Sequence, residues 1–204
     1  MRIRPVGVKA LLLQCADSDQ VDAWRAELWR RRDAGDLPAV DIVPAARTIL
    51  LDGLDDPPAA ARAIVGWTPR PAGDRGSGPL VRIPTVYDGE DLPAVAARWG
   101  VSTAEVVDRL GRVELRVAFC GFAPGFAYLT GLPAHWGEVP RLPTPRSRVA
   151  PGSVALAGPY AGIYPTASPG GWRLVGHTDV TLFDAHRDPP ALLTPGARVR
   201  LVAA

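Results

Sequence analysis

The sequence predicts an α+β protein with two domains, a small ferredoxin-like domain followed by a unit of short β-strands with minor helices. In the first third of the chain the predicted elements follow the order β-α-β-β-α, which is typical of ferredoxin-like domains. Later apolar runs are short and bounded by Gly or Pro, which favours a barrel or sandwich. Between them, Thr68–Pro79 has the Pro, Gly and Ser content of a linker. We therefore place domains at 1–70 and 80–204, joined by a linker at 71–79.

Local patterns predict each amino-terminal element. Ser18 can cap a helix that Gly35 ends, and apolar side chains recur within it at helical spacing. Prolines are acceptable in the first turn of a second helix. The expected elements are a strand at Val8–Gln14, the helix from Ser18, β-rich runs at Val40–Val43 and Arg47–Leu51, and the helix Pro57–Val65.

The carboxy-terminal elements are predicted in the same way. A strand starts at Leu80, and two helices follow, one over Asp91–Trp99 before Gly100 and one with the capping pair Ser102 and Glu105. Further strands are expected at Arg112–Phe119, Ser153–Ala157, Trp172–Val175, Val180–Leu182 and Arg198–Val202.

Charge and hydropathy exclude several classes of protein. A net charge of +2 over 204 residues argues against a dedicated nucleic-acid binder. No stretch reaches the length of a transmembrane helix, and the apolar run near the amino terminus is too short for a convincing signal peptide. We therefore expect a cytoplasmic protein that does not associate with membranes.

The residue types also limit the chemistry. Lys9 is the only lysine, so the chain lacks a P-loop lysine, and a covalent cofactor is not expected. The three histidines lack the spacing of a zinc site, and Cys15 and Cys120 lack that of a metal or redox pair. A Ser168–His177–Asp179 triad can be assembled only by selecting residues after the fact. We expect no metal site on this chain, and its catalytic residues stay unassigned.

The segment Phe119–Thr178 carries the strongest functional pattern. Gly, Pro and aromatic residues recur every few positions, and between positions 116 and 173 the sequence has five arginines against a single acid, Glu138. Arg141 and Arg146 each follow a proline, which stiffens the local backbone. Guanidinium groups suit carboxylates and phosphates, so this segment predicts an anion-receptive cleft. The alternative for the arginines is that they are solvated on a proline loop. The adjacent glycines of SPGGW (168–172) could expose amides that form an anion-binding nest, and the alternative there is a tight turn.

Several motifs in order resemble one known family. They are IVPAARTILL (42–51), YDGEDLPAVAARWGVSTAEVV (87–107), GFAPGFAYL (121–129), GSVALAG (152–158), GIYP (162–165), SPGGW (168–172) and LFDAHRDPPALLTPGARVRL (182–201). This pattern resembles the family that holds the B-type subunit of 5-oxoprolinase, allophanate hydrolase subunit 1 and the KipI-type inhibitors of histidine kinases. The resemblance covers most of the chain, and it implies a cyclophilin-like β-barrel after the amino-terminal α+β domain.

The resemblance also implies a non-autonomous subunit. It suggests one half of a carboxyltransferase-like pair, with the C-type subunit of 5-oxoprolinase as the other half and the A-type subunit as a third component. Such a complex would open 5-oxoproline to glutamate at the expense of ATP, with a divalent cation, and the isolated chain is expected to be inactive. The alternatives are a regulatory module that inhibits a sensor histidine kinase, and a component of an allophanate- or urea-metabolising complex.

The residue pattern and the family resemblance together predict which residues line a cleft for a small anionic substrate or phosphate. They are Phe122, Pro124, Gly125, Phe126, Arg141, Arg146, Ser168, Gly170, Gly171 and Thr178. The chain departs from the resemblance at Thr130, at Ala150–Ser153 and, with most consequence, at Leu110, where the family usually has histidine, and at His177, where it usually has arginine. These departures put the assignment of the reacting group in question.

Overall fold

The computed structural model describes residues 1–69 and 78–204. The chain divides into two compact units, Met1–Ser77 and Gly78–Ala204. The predicted linker at 71–79 lies mostly outside the described residues and stays a prediction. Within the described residues, no helix has the length and apolar character needed to cross a bilayer.

The amino-terminal unit is an antiparallel sheet with two helices. Its elements are β1 (Arg2–Val6), β2 (Ala10–Gln14), α1 (Ser18–Asp33), β3 (Asp41–Pro44), β4 (Thr48–Asp52) and α2 (Pro57–Val65). The strand order is β1-β2-β4-β3, and every neighbouring pair is antiparallel. The predicted β-α-β-β-α order is confirmed from β2 to α2, and β1 adds an edge strand before it.

Two local predictions in this unit are wrong in detail. The strand predicted at Val8–Gln14 starts only at Ala10, because Gly7, with φ +59°, begins a turn that carries Val8 and Lys9. The helix cap is Asp17, whose Oδ1 accepts the Gln20 amide at 2.8 Å, and Ser18 is already the first helical residue.

The carboxy-terminal unit is dominated by one curved sheet. Its elements are β5 (Leu80–Thr85), α3 (Leu92–Trp99), α4 (Thr103–Arg112), β6 (Leu115–Cys120), β7 (Ala127–Thr130), a 3₁₀ turn (Ala134–Trp136), β8 (Arg146–Val149), β9 (Ser153–Ala157), β10 (Tyr160–Ile163), β11 (Ser168–Gly170), β12 (Arg173–His177) and β13 (Arg198–Ala203). Seven strands follow the order β12-β9-β10-β7-β6-β13-β5, while β11 and β8 form a separate ribbon.

The helix signals of this unit are confirmed and some strand predictions are not. Ser102 caps α4 by accepting the Glu105 amide at 3.1 Å, and Gly100 ends α3 at φ +66°. The sequence did not predict β7, β8, β10 or β11, which are three or four residues long. The strand predicted at Val180–Leu182 is absent, and the Val180 amide donates to Thr178 Oγ1 at 3.3 Å instead of to a neighbouring strand.

A single bridge between the two edge strands nearly closes the sheet. Val86, just beyond β5, and His177, in β12, exchange two backbone hydrogen bonds of 2.9 and 2.8 Å. Gly176 permits this approach, since a Cβ there would lie 2.2 Å from the Val86 carbonyl oxygen. The predicted barrel-like carboxy-terminal domain, and with it the α+β fold class, is confirmed.

Strand β9 is buried on both faces, and β7 and β10 are buried on one face and at least partly buried on the other. Alternate residues such as Leu129, Leu156 and Ile163 belong to the core that also includes residues of α3 and α4. Residues of the opposite face, such as Phe126 and Ala155, belong to a second, aromatic cluster. The period of two therefore separates a structural core from an aromatic face.

Asp91 connects the start of α3 to the strands beneath the aromatic face. Its carboxylate accepts the Leu174 amide at 2.8 Å, Arg146 Nη2 at 2.8 Å and Arg173 Nη1 at 3.4 Å, and its side chain is 8% exposed. Its own amide donates to the Leu174 carbonyl at 3.0 Å. One buried acid thus satisfies two arginines and one strand amide.

We expect Asp91→Ala to lower the free energy of unfolding by about 3–5 kcal/mol, because it leaves two arginines without their buried partner. Urea denaturation followed by tryptophan fluorescence measures the change. Asp108→Ala is the matched control, since the Arg112–Asp108 pair is 83% and 60% exposed, and it should cost less than about 0.5 kcal/mol. Equal effects of the two substitutions would contradict the assigned role of Asp91.

Candidate functional site

A tight loop between β6 and β7 holds one residue in a strained conformation. The Phe126 amide donates to the Ala123 carbonyl at 3.0 Å, and the Gly121 amide donates to the Phe126 carbonyl at 3.1 Å. Phe122 has φ +74°, the one positive φ of a non-glycine residue within the described ranges, and is 62% exposed. Bulky residues rarely adopt this conformation, and such strain is concentrated at functional sites.

An aromatic cluster lies next to this loop. The Phe126 ring is at its centre, with ring centroids 5.3 Å from Phe122, 5.4 Å from Tyr164 and 5.4 Å from Trp172, all edge to face. A Cβ on Gly162 would lie 2.9 Å from the Trp172 ring, so glycine is required for this packing. Edge-to-face contacts fix the orientations of the rings.

The two adjacent glycines of SPGGW differ in their surroundings. A Cβ on Gly170 would lie 2.3 Å from the buried Tyr164 hydroxyl, so this glycine is a packing requirement. A Cβ on Gly171 would be no closer than 3.6 Å to any neighbour outside the local chain. The Gly171 carbonyl accepts the Leu142 amide at 2.7 Å, which ties this segment to the loop that carries Arg141.

These elements enclose a small cleft of about 100 Å³. We call it the aromatic cleft, and its lining residues are Phe122, Phe126, Tyr128, Arg141, Tyr164, Pro169, Gly170, Gly171 and Trp172. Arg141 is its one charged lining residue, and its guanidinium carbon lies 5.9 Å from the centroid of the Trp172 ring. Within the described part of the chain, no carboxylate lies within ion-pair distance of Arg141, so its charge is available to an anion.

Arg146 has a different environment. Its Nε lies 2.7 Å from Glu90 and its Nη2 lies 2.8 Å from Asp91, while Nη1 donates to the Trp172 carbonyl at 3.4 Å. Burial lowers the pKa of Arg146, but the hydrogen bonds to the two carboxylates outweigh burial and raise it. This arginine therefore contacts the backbone of Trp172, a cleft residue, and its charge is already paired with Glu90 and Asp91.

Two hydroxyl groups near the cleft differ in their partners. Burial raises the pKa of the Tyr164 phenol, and its hydrogen bond with the Trp172 backbone partly opposes the effect. That phenol therefore stays protonated at neutral pH and can act as a donor in the cleft. Ser168 Oγ is buried and has no hydrogen-bond partner among the described residues, although Ser168 itself does not line the cleft.

Thr178 lies away from the aromatic cleft. It is buried, and with His177 and Asp179 it lines a separate cavity of about 260 Å³ beside the bridge that closes the sheet. His177 Nδ1 lies 2.8 Å from Asp88 Oδ1. Leu110 is buried in the core with residues of α3 and α4. Neither of these two departures from the resemblance therefore lines the cleft.

The structure brings together half of the predicted site residues. Those that line the cleft are Phe122, Phe126, Arg141, Gly170 and Gly171. Pro124 is exposed in the adjoining loop, and Gly125 packs against Phe183, where a Cβ would lie 2.7 Å from its Cβ. Tyr128, Tyr164 and Trp172 line the cleft but were missing from the predicted set. For Tyr128 the signal was present, because it is two residues from Phe126 on a strand.

Comparison with known proteins gives the family. Residues 1–193 match "Carboxyltransferase domain, subdomain C and D". The chain belongs to this family. It is 50% identical over 126 residues to the B-type subunit of 5-oxoprolinase from Escherichia coli O157:H7, and 41% identical over 126 residues to that of Bacillus subtilis. These matches cover 60% of this chain and 57% and 52% of the relatives, so the chain spans little more than half the length of the curated relatives it matches.

Solved structures share the fold of this chain. TTHA0988 superposes with a TM-score of 0.79 and 36% identity, covering 97% of this chain and 40% of that chain. The urea carboxylase of Kluyveromyces lactis superposes with a TM-score of 0.71 at 18% identity, covering 99% of this chain and 21% of that one. At this identity the second likeness concerns the fold alone.

We expect Phe122→Gly to be more stable than Phe122→Ala by about 1 kcal/mol, because both remove the ring but only glycine is unstrained at φ +74°. Equilibrium unfolding in urea compares the two variants. Elsewhere in a chain alanine is usually the more stable of the two, so an advantage for Phe122→Ala would show that the left-handed conformation is absent.

We also expect the two glycines of SPGGW to respond differently to alanine. Gly170→Ala should lower stability by about 1–3 kcal/mol, because the new methyl group overlaps the Tyr164 hydroxyl. Gly171→Ala should change stability by less than about 0.5 kcal/mol, since its neighbours are at ordinary contact distance. Thermal unfolding of both proteins measures the difference, and equal losses would contradict the described packing.

Proposed function

We propose that this chain is a non-autonomous subunit of an ATP-dependent amide hydrolase complex of the 5-oxoprolinase type. In such a complex 5-oxoproline would be opened to glutamate at the expense of ATP. The aromatic cleft of this chain would bind the anionic substrate or a phosphoryl group. The observation that carries the proposal is the unpaired Arg141 in the aromatic cleft of a chain 50% identical over 126 residues to a B-type 5-oxoprolinase subunit.

The chemistry of the cleft supports an anion. Arg141 supplies a planar set of donors, and the Tyr164 phenol is a neutral hydroxyl beside it. Gly171 also lines the cleft and presents main chain without a side chain there. Preorganised donors of this kind stabilise negative charge as it develops in a transition state.

The nucleotide fits the aromatic cleft poorly. A cleft of about 100 Å³ is smaller than the usual 300–1,000 Å³ of a ligand pocket, and Lys9, the only lysine, is far from it in sequence. We therefore assign ATP and its divalent cation to the assembled complex, and we assign no step of ATP chemistry to residues of this chain.

The same features support the need for partners. The cleft offers donors but no group placed as a general base, and the relatives are named as one component of a larger enzyme. We propose a carboxyltransferase-like partner equivalent to the C-type subunit of 5-oxoprolinase, and a third component equivalent to its A-type subunit. The site would then be shared, with this chain supplying one wall, and the complex would work in the cytoplasm.

The test is reconstitution of the complex from separately purified subunits. We expect ATP hydrolysis that depends on 5-oxoproline and requires this chain, and no hydrolysis by the chain alone. Arg141→Ala should lower kcat/KM for 5-oxoproline by about 100-fold, because a charge-assisted hydrogen bond contributes about 1.5–3 kcal/mol. Arg148→Ala, an exposed arginine on β8 outside the cleft, is the matched control and should stay within about twofold.

Parallel assays with allophanate and urea test the other predicted substrates. Turnover of either in place of 5-oxoproline would replace the proposed substrate but keep the proposed hydrolase class. ATP hydrolysis that is independent of all three, in a complex that assembles, would refute the proposal. The remaining candidate would then be the inhibition of a sensor kinase, which no feature of the described residues favours.

A further inference from the structure

The aromatic cleft has donors for an anion but no carboxylate for a cation. Its polar side chains are the Arg141 guanidinium and the phenols of Tyr128 and Tyr164. No Asp or Glu lines it within residues 1–69 and 78–204. A ligand ammonium group placed there would lose its water without gaining a counter-charge.

The two acids that contact Arg146 on β8, Glu90 and Asp91, already have basic partners. Asp91 accepts hydrogen bonds from Arg146, from Arg173 and from the Leu174 amide. Glu90 lies 2.7 Å from Arg146 Nε. Recruiting either acid to a ligand cation would remove one of the two carboxylates that pair with Arg146, whose side chain is 20% exposed, and this weakens the compensation of a largely buried charge.

Aromatic faces are the other surfaces that could hold a cation, and the most suitable of them is occupied. The guanidinium carbon of Arg141 lies over the Trp172 ring, 5.9 Å from its centroid. A second cation at this ring would face repulsion from the first. Phe126 and Tyr164 meet edge to face at 5.4 Å, so their rings are largely committed to each other.

We propose that the aromatic cleft selects carboxylates on a small uncharged ring and rejects ring carboxylates and amino acids that carry an ammonium group. This inference rests on the proposed function. The lactam nitrogen of 5-oxoproline is uncharged, and the Arg141 guanidinium would hold the carboxylate while the aromatic rings contact the ring of the substrate.

The same selectivity acts on the product. Hydrolysis breaks the lactam C–N bond, water supplies OH to the carbonyl carbon and H to the nitrogen, and the proton that the new carboxylic acid releases is balanced by the one that the resulting amine takes up. Glutamate therefore carries an ammonium group and a second carboxylate that the substrate lacked. A cleft without a counter-charge for the ammonium group favours product release over product retention.

Direct binding measurements test the selectivity without turnover. Titration calorimetry without ATP, on the full chain and on the assembled complex, compares 5-oxoproline, cyclopentanecarboxylate, proline and glutamate. We expect the first two ligands to bind with affinities within about threefold, and the last two at least about tenfold more weakly. Arg141→Ala should weaken binding of both favoured ligands at least about tenfold.

A charge added to the rim provides the matched test. Phe122→Asp places a carboxylate at the cleft in a residue type that tolerates positive φ, and Phe122→Asn is the neutral control. We expect Phe122→Asp to shift the ratio of proline to 5-oxoproline affinity at least about tenfold towards proline, and Phe122→Asn to leave that ratio within about threefold.

The outcomes separate this inference from the proposed function. Proline binding as tightly as 5-oxoproline, or failure of any ring carboxylate to bind either the chain or the complex, would overturn the selectivity. The ligand series on the unmodified protein decides this even if a Phe122 variant does not fold. Substrate-dependent ATP hydrolysis is scored separately, so a selective cleft in a complex without 5-oxoprolinase activity would refute only the proposed function.

Discussion

The buried carboxylate of Asp91 is the interaction on which the carboxy-terminal unit depends most. It fixes the beginning of α3 against Leu174 and neutralises Arg146 and Arg173, which would otherwise be only partly hydrated cations. Because Arg146 also contacts the Trp172 carbonyl, the same carboxylate indirectly sets one wall of the aromatic cleft. Stability and site geometry are therefore coupled through one acid, as is common where a single ionic network supports a binding surface.

The cleft also depends on strands whose two faces contact different hydrophobic clusters. On β7, Leu129 belongs to the core and Tyr128 packs against the aromatic cluster, which includes Phe126 just before the strand. Glycines at 162 and 170 allow the rings to approach the backbone, and the strained Phe122 closes the rim. Among the described residues, Arg141 is then the one charged lining group without a counter-charge. A rigid apolar wall beside one unpaired cation is suited to recognising a small anion.

Much of the fold could be predicted because its signals are local. The caps at Ser102 and Gly100, the helix at Pro57–Val65 and several strands depend on neighbours within a few residues. The short strands β8 and β11 were not predicted, because β11 has Pro169 and Gly170 where strands usually have β-branched residues, and β8 is four residues long with two arginines. They form only because the two segments pair with each other across about twenty residues of chain.

Composition and motif order were enough to predict the α+β class and the family, because these signals need no coordinates, and they also led us to predict an anion-receptive segment at Phe119–Thr178. Which of its arginines lacks a counter-charge depends on contacts that form only in the folded chain. Arg141 and Arg146 both follow prolines and look alike in sequence, yet Arg146 meets Glu90 and Asp91, which are more than fifty residues away in the chain. The free charge of Arg141 is a property of long-range contacts, and no local pattern encodes such contacts.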